Sequence, residues 1–225
     1  VLELLGIPAP PQMTGRCLLI HPAPGPRRVL LLIVDGWGLS ADPAVSLLSE
    51  ARIPSLKWLL GTFPHTALTA SGPCVGMPEG TVGNSETGHL HLGAGRCVPS
   101  DRMRIAQAIA DGSFAHNEAF LWAIRGAQRH GKALHLLGII SFYSSHGSVR
   151  YLEELLRLCA REGVAPVYVH GLLGRRGERP ESGAVYVGNV ERLCSELGVG
   201  QVVSVIGRHW ALDREERWDR VEKAY

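Results

Sequence analysis

From residue 134 onward the sequence switches repeatedly between two hydrophobic periods. Leu134–Ile140 is an aliphatic run of strand length, and 148–163 repeats apolar residues at helical spacing. Pro166–His170 is again strand-like, 185–198 helical, Gln201–Ile206 strand-like, and 213–225 a charged helix. Strands separated by helices cannot pair as hairpins. They lie parallel, joined by right-handed crossovers, so the pattern predicts βαβ units around a parallel sheet and an α/β fold class.

The first half is less regular. Val29–Val34 is an unbroken aliphatic run that ends in Asp35-Gly36-Trp37-Gly38, the pattern of a strand buried on both faces. Pro54–Leu60 opens like a helix with proline in its first turn. Residues 71–100 are rich in the chain's 27 glycines, and helical patterns resume at Asp101 and over 117–129. A short apolar helix and a proline-rich stretch make up 1–19. Residues 20–28, with Pro22, Pro24, Gly25 and Pro26, read as a stiff linker.

Composition narrows the function classes. A net charge of +2 projects no strong field toward nucleic acid or membrane. The five cysteines are widely spaced and odd in number, without a CxxC, which favours reduced thiols in a cytosol over a disulfide framework or zinc knuckle. No apolar run approaches the roughly 18 residues of a membrane span. Val1–Leu5 lacks the basic start and cleavage site of a signal peptide. The expected setting is cytoplasmic, with no nucleic-acid or membrane partner.

In parallel sheets ligands bind beyond the carboxyl ends of the strands. Asp35 follows the first run, His146 the 134–140 strand, Arg176 the 166–170 strand, and Arg208 and Arg214 the last. Guanidinium forks match phosphate and carboxylate oxygens in pairs, so this rim suits a small, multiply anionic ligand such as a phosphorylated carboxylic acid. For any one arginine, solvated surface charge is the competing account. Asp35 reads as a metal ligand or base, or as a plain turn aspartate helped by Gly36. Ser85 stands in Gly83-Asn84-Ser85-Glu86-Thr87-Gly88-His89, where small neighbours leave its hydroxyl accessible. A serine needs a base or a metal to become a nucleophile, and the competing reading is a helix N-cap. His89, four residues on, fits a base or a core or capping histidine equally. Gly93-Ala94-Gly95 starts like a dinucleotide fingerprint, but position 98 is Val and no clean strand precedes it; a nicotinamide-binding domain rests on that fragment alone.

Four stretches resemble cofactor-independent phosphoglycerate mutase, of the alkaline phosphatase superfamily: Val29–Gly38, Pro64–Arg96, Asp111–Phe114 and Gly207–Tyr225. The resemblance implies interconversion of 3-phosphoglycerate and 2-phosphoglycerate through a phosphoserine, as in glycolysis and gluconeogenesis, with two manganese ions activating the serine. It assigns Ser85 as nucleophile, Asp35 and Ser85 as metal ligands, and His146, Arg176, Arg208 and Arg214 as substrate-binding. Four departures accompany it. The chain is shorter than the family, whose remaining part carries further metal ligands and substrate arginines. Residues 1–19 look like the family's C-terminal end set in front. The loop usually reading Asp-Gly-Gly-Val-His-Ser-His is Phe142–Ser148, with one histidine. Asp-Gly-Arg-Asp becomes Gly174-Arg175-Arg176-Gly177.

The expected organisation is therefore a C-terminus-like segment (1–19), a linker (20–28), a partial phosphatase-like metal-binding domain (29–100) and a truncated phosphotransferase domain (101–225). The expected activity is that of a phosphoglycerate mutase acting on a small molecule as a monomer, incomplete in this chain and completed by a complementary chain segment. A non-catalytic binder of small phosphorylated anions is the alternative.

Overall fold

The computed structural model describes residues 1–18, 28–40, 42–142, 147–174, 178–179 and 181–225. The expected linker, apart from Arg28, lies outside them, as do His146 and Arg176. The chain divides into two compact units, Val1–Ala106 and Gln107–Tyr225.

The first unit carries α1 (Leu2–Leu5), α2 (Leu47–Glu50), α3 (Pro54–Thr62), α4 (Ser85–Ala94) and the start of α5 (Asp101–Ala110). Its centre is a closed loop. Ser71 and Val82 form an antiparallel bridge. Gly72 N donates to Thr81 O (2.8 Å) and Gly83 N to Ala70 O (3.1 Å). A Cβ on Gly83 would sit 2.3 Å from that Ala70 oxygen, so only glycine lets the chain pass there. Few side chains of this unit are buried; Met77 is the one large apolar example among the described residues.

The aliphatic run before Asp35 corrects an expectation. Residues 29–34 belong to no strand, and Leu30 and Leu32 are 87% and 75% exposed. A strand exists only through its neighbours' hydrogen bonds, and none of the described residues supplies them.

The second unit is the α/β layer that the alternating periods predict. After the remainder of α5 come α6 (Glu118–Arg129), β1 (Leu134–Ile140), α7 (Val149–Glu162), β2 (Val167–Leu173), α8 (Ser182–Leu197), β3 (Gln201–Gly207), α9 (Arg208–Ala211) and α10 (Trp218–Ala224). The strands are parallel in the order β1-β2-β3, with Leu134 opposite Val167 and Val169 opposite Val202. Two right-handed crossovers running the same way put both helices on one face. The core shows this: Ile140, Val167 and Val169 pack with Leu152, Leu156, Val190, Leu193 and Cys194. Gly171 lies at the middle of that face, where a Cβ would meet Ile140 Cδ1 at 2.6 Å. Burial in this core pushes the Cys159 thiol up to about 11.

The charged helix expected over 213–225 is shorter. The Asp213 carboxylate accepts from Glu215 N (3.1 Å) and Arg217 N (2.9 Å), Glu216 takes φ 57°, and helix begins only at Trp218. The side-chain acceptor competes with the helical carbonyls and makes a turn instead.

Candidate active site

The first unit brings together two candidates fifty positions apart in the sequence. Ser85 Oγ donates a hydrogen bond to Asp35 Oδ2, and Asp35 Oδ1 accepts from Gly36 N at 2.8 Å. Both side chains are exposed. The closed loop delivers Asn84, whose Oδ1 accepts from Thr87 N (2.9 Å) and caps α4. The cap is therefore Asn84, not Ser85. Ser85 is the first helical residue, and its hydroxyl is left to Asp35.

His89 Nδ1 lies 2.8 Å from the Ser85 carbonyl. A carbonyl only accepts, so Nδ1 carries the proton, and the ring holds the backbone of the first helical turn rather than the Ser85 hydroxyl. The hydrogen bond from Ser85, then that from Gly36, hold the Asp35 carboxyl below its ordinary 3.8, with the nearby His89 adding to the effect. A carboxylate so stabilised is a poor base and a good hard-oxygen donor to a divalent cation. Because the folded value is depressed, the interaction is complete above pH 3.8 and is lost as pH falls through the lower folded value. Carboxyl-carbon NMR of Asp35 should give a midpoint below 3.8 that rises in Ser85→Ala; a midpoint at or above the ordinary value would contradict the bond.

In the second unit, Arg208 opens α9 directly after β3 and is half-buried. A Cβ on Gly174 would sit 3.8 Å from Arg208 Cγ, so the arginine stem lies against the carboxyl end of β2. Arg214 is exposed on the turn that Asp213 ties together. That carboxylate also takes Arg220 Nη1 at 3.0 Å and is 2% exposed; its hydrogen bonds to Arg217 and Glu215 N–H and to Arg220 hold its pKa down. At the same strand ends, buried Ser141 donates to Glu178 Oε1 at 3.0 Å. Asp213 and the Ser141–Glu178 pair were not singled out from the sequence. For Asp213 a signal existed, an aspartate directly before a candidate arginine; Ser141 and Glu178 meet only through the β1–β2 pairing. Gly93-Ala94-Gly95 forms the end of α4, with Gly95 in the left-handed cap (φ 60°), and no strand leads into it. A dinucleotide turn requires that strand.

The family model for the BPG-independent PGAM N-terminus matches residues 105–225. That is more than half of the chain. The chain belongs to the BPG-independent phosphoglycerate mutase family. The 2,3-bisphosphoglycerate-independent phosphoglycerate mutase of Moorella thermoacetica is 44% identical over 199 residues, 88% of this chain and 39% of that protein. Its counterpart from Salinibacter ruber is 46% identical over 201 residues, 88% of this chain and 38% of that protein. A phosphoglycerate mutase from Leishmania mexicana, whose crystal structures were determined at low cobalt concentration, superposes with a TM-score of 0.60 at 26% identity, over 68% of this chain and 29% of its own. The chain thus spans about two fifths of the length of the curated mutases that it matches.

Asp35 and Ser85 offer two hard oxygen donors. Among the described residues no group of three or more His, Cys, Asp and Glu could hold an ion. The donor chemistry suits a divalent metal but the donor number does not, since hard cations take about six oxygens each. None of the helices formed by described residues is long and apolar enough to cross a membrane.

Proposed function

We propose that this chain is the nucleophile-bearing and part of the substrate-binding portion of a phosphoglycerate mutase of the cytoplasm. Ser85 takes the phosphoryl group from one hydroxyl of the glycerate and returns it to the other. The P–O bond to the first hydroxyl breaks as Ser85 Oγ–P forms, and the second step reverses this at the neighbouring carbon. The observation that carries the reading is the Ser85–Asp35 hydrogen bond, made by residues fifty positions apart that the family resemblance selects independently of geometry.

Asp35 orients the Ser85 hydroxyl but, with its lowered pKa, does not remove the proton by itself. In the mutase reading Asp35 and Ser85 would be two ligands of a divalent metal such as manganese, which would supply that activation when bound. The rest come from outside the described residues, so no step is assigned to a metal held by this chain alone. His146 and Arg176 belong to the proposed substrate set. Arg208, anchored at the β2 and β3 ends, holds the anionic substrate with Arg214. The proposed arrangement is a phosphatase-like part over 29–100 and a phosphotransferase part over 101–225, acting as a monomer on a small molecule.

Arg208→Ala tests the rim. In an enzyme completed by the remaining mutase polypeptide, KM for 3-phosphoglycerate should rise about 10- to 100-fold, the loss of one charge-assisted contact, with kcat changed far less. Unchanged affinity would remove Arg208 from the site.

A further inference from the structure

The first unit sets two thiols beside each other where its closed loop meets the end of the serine-bearing helix. The loop opens with a 3-10 turn, Gly72–Val75, that ends on Gly76 in the left-handed conformation (φ 66°). The segment leaving α4 runs directly along this turn. Ser100 N donates to Gly76 O at 2.7 Å, and a Cβ on Gly76 would sit 2.2 Å from Val98 O and 3.2 Å from Pro99 Cα. Cys97 Sγ donates to Pro73 O at 3.9 Å. That oxygen and the Cys74 Cα belong to one planar peptide and lie about 2.8 Å apart, so the Cys97 sulfur is within about 7 Å of the Cys74 Cα. Both cysteines are exposed. Bridged cysteines hold their Cα atoms about 4.4–6.8 Å apart, and turning two exposed side chains about χ1 spans what remains. Cys159 and Cys194 are buried in the core of the second unit, away from a dissolved oxidant. Cys17 is the third exposed thiol and the competing partner, brought to the same end of α4 by Gly15 N, which donates to Gly95 O at 2.9 Å.

We propose that Cys74 and Cys97 form a reversible disulfide, with a low-molecular-weight disulfide such as glutathione disulfide as oxidant, and that this bond staples α4 to the closed loop. One cysteine thiolate attacks a sulfur of glutathione disulfide; that S–S bond breaks and one glutathione thiolate leaves. The second cysteine thiolate attacks the protein sulfur of the mixed disulfide and expels the other glutathione. Two cysteine thiols are oxidised, glutathione disulfide is reduced to two thiols, and the two protons pass from the cysteines to the glutathiones. The proposal does not require phosphoryl transfer. Its consequence follows from the sparse core of the first unit. Few side chains there are buried, so α4 is held mainly by the Asn84 cap and the backbone bonds of the loop. A link from Cys74 to Cys97 closes a ring of chain that contains Ser85 and all of α4, and it removes freedom chiefly from the opened state. The cysteines are free in this structure, and a bond between exposed partners is of the labile, regulatory kind.

The test treats the reduced 225-residue chain with glutathione disulfide, blocks the remaining thiols by alkylation and maps the peptides by mass spectrometry, with amide hydrogen exchange on the same samples. The expected product is one internal Cys74–Cys97 bond, independent of protein concentration, with Cys17 outside it. The α4 amides should exchange at least about 10-fold more slowly in the oxidised chain and return to their starting rates on reduction. Cys74→Ser and Cys97→Ser, at exposed positions, should keep the exchange pattern of the reduced parent and carry glutathione on the remaining cysteine instead. Cys17→Ser should leave both the bond and the slowing intact. Separate glutathione adducts on Cys74 and Cys97, no oxidation of either, a bond from Cys17 to one of them, or a bond between chains would overturn the proposal. So would a Cys74–Cys97 bond that leaves α4 exchange unchanged. Absence of mutase turnover in the completed enzyme would refute the phosphoglycerate reading and leave the disulfide standing.

Discussion

Given manganese and 3-phosphoglycerate, the isolated 225-residue chain should form 2-phosphoglycerate at least about 10³-fold more slowly than a typical enzyme turnover of about 10 per second. The expectation comes from the site itself. Asp35 and Ser85 meet on exposed segments, and Asp35 is approached through a run of residues that no strand among the described residues holds, with Leu30 and Leu32 87% and 75% exposed. Positioning a nucleophile within a fraction of an ångström of its reactive geometry requires a rigid support. Two oxygen donors also fall short of what one divalent cation takes, and shorter still of a pair. An enzyme-coupled assay for 2-phosphoglycerate measures the rate directly. Turnover near the typical value would show that these 225 residues suffice, and both the need for donors from outside them and the need for strand neighbours beside residues 29–34 would then be wrong. An enzyme completed by the remaining mutase polypeptide is the positive control, since the same assay should register turnover there if the remaining donors arrive with that polypeptide.

What could be read from the sequence tracks how local each cause is. β1 was legible to the residue because an aliphatic run of strand length is a local signal, and α7 and α8 were legible because their apolar faces repeat at helical spacing. Val29–Val34 misled because its composition specifies burial between strands, while the formation of a strand depends on partners elsewhere. The 213–225 helix was overdrawn because periodicity cannot show that the Asp213 side chain would capture two backbone N–H groups. At the site, Ser85 stood out by its small neighbours and Asp35 by its place after an aliphatic run, but their contact is tertiary and nothing in either neighbourhood announces it. The same holds for Ser141 with Glu178, joined by strand register, and for the His135–His170–Ser204 line, joined across three strands.

Ser85→Ala in the completed enzyme is expected to lower kcat by about 10⁴-fold or more, since in the proposed reaction the Ser85 hydroxyl carries the phosphoryl between the two substrate hydroxyls. Mass spectrometry should find the added phosphoryl group on Ser85 in the unsubstituted chain after incubation with substrate and none in the variant. The loss can be separated from misfolding. Asn84 Oδ1 caps α4 through Thr87 N, and His89 Nδ1 donates to the Ser85 carbonyl rather than to its hydroxyl. Alanine at the first helical position keeps both bonds and is a favourable helix residue. The variant should therefore unfold at the same temperature as the parent and show the same exchange protection in α4. Asp35→Asn provides the contrast: it keeps a hydrogen-bond acceptor for Ser85 but removes the charge that attracts a divalent cation, so its loss of rate should be partly recovered at higher manganese concentration, whereas that of Ser85→Ala should not. Recovery of Ser85→Ala by metal, or a phosphorylated residue elsewhere in the chain, would assign the transferring hydroxyl to another side chain and leave the Ser85–Asp35 bond as a structural contact.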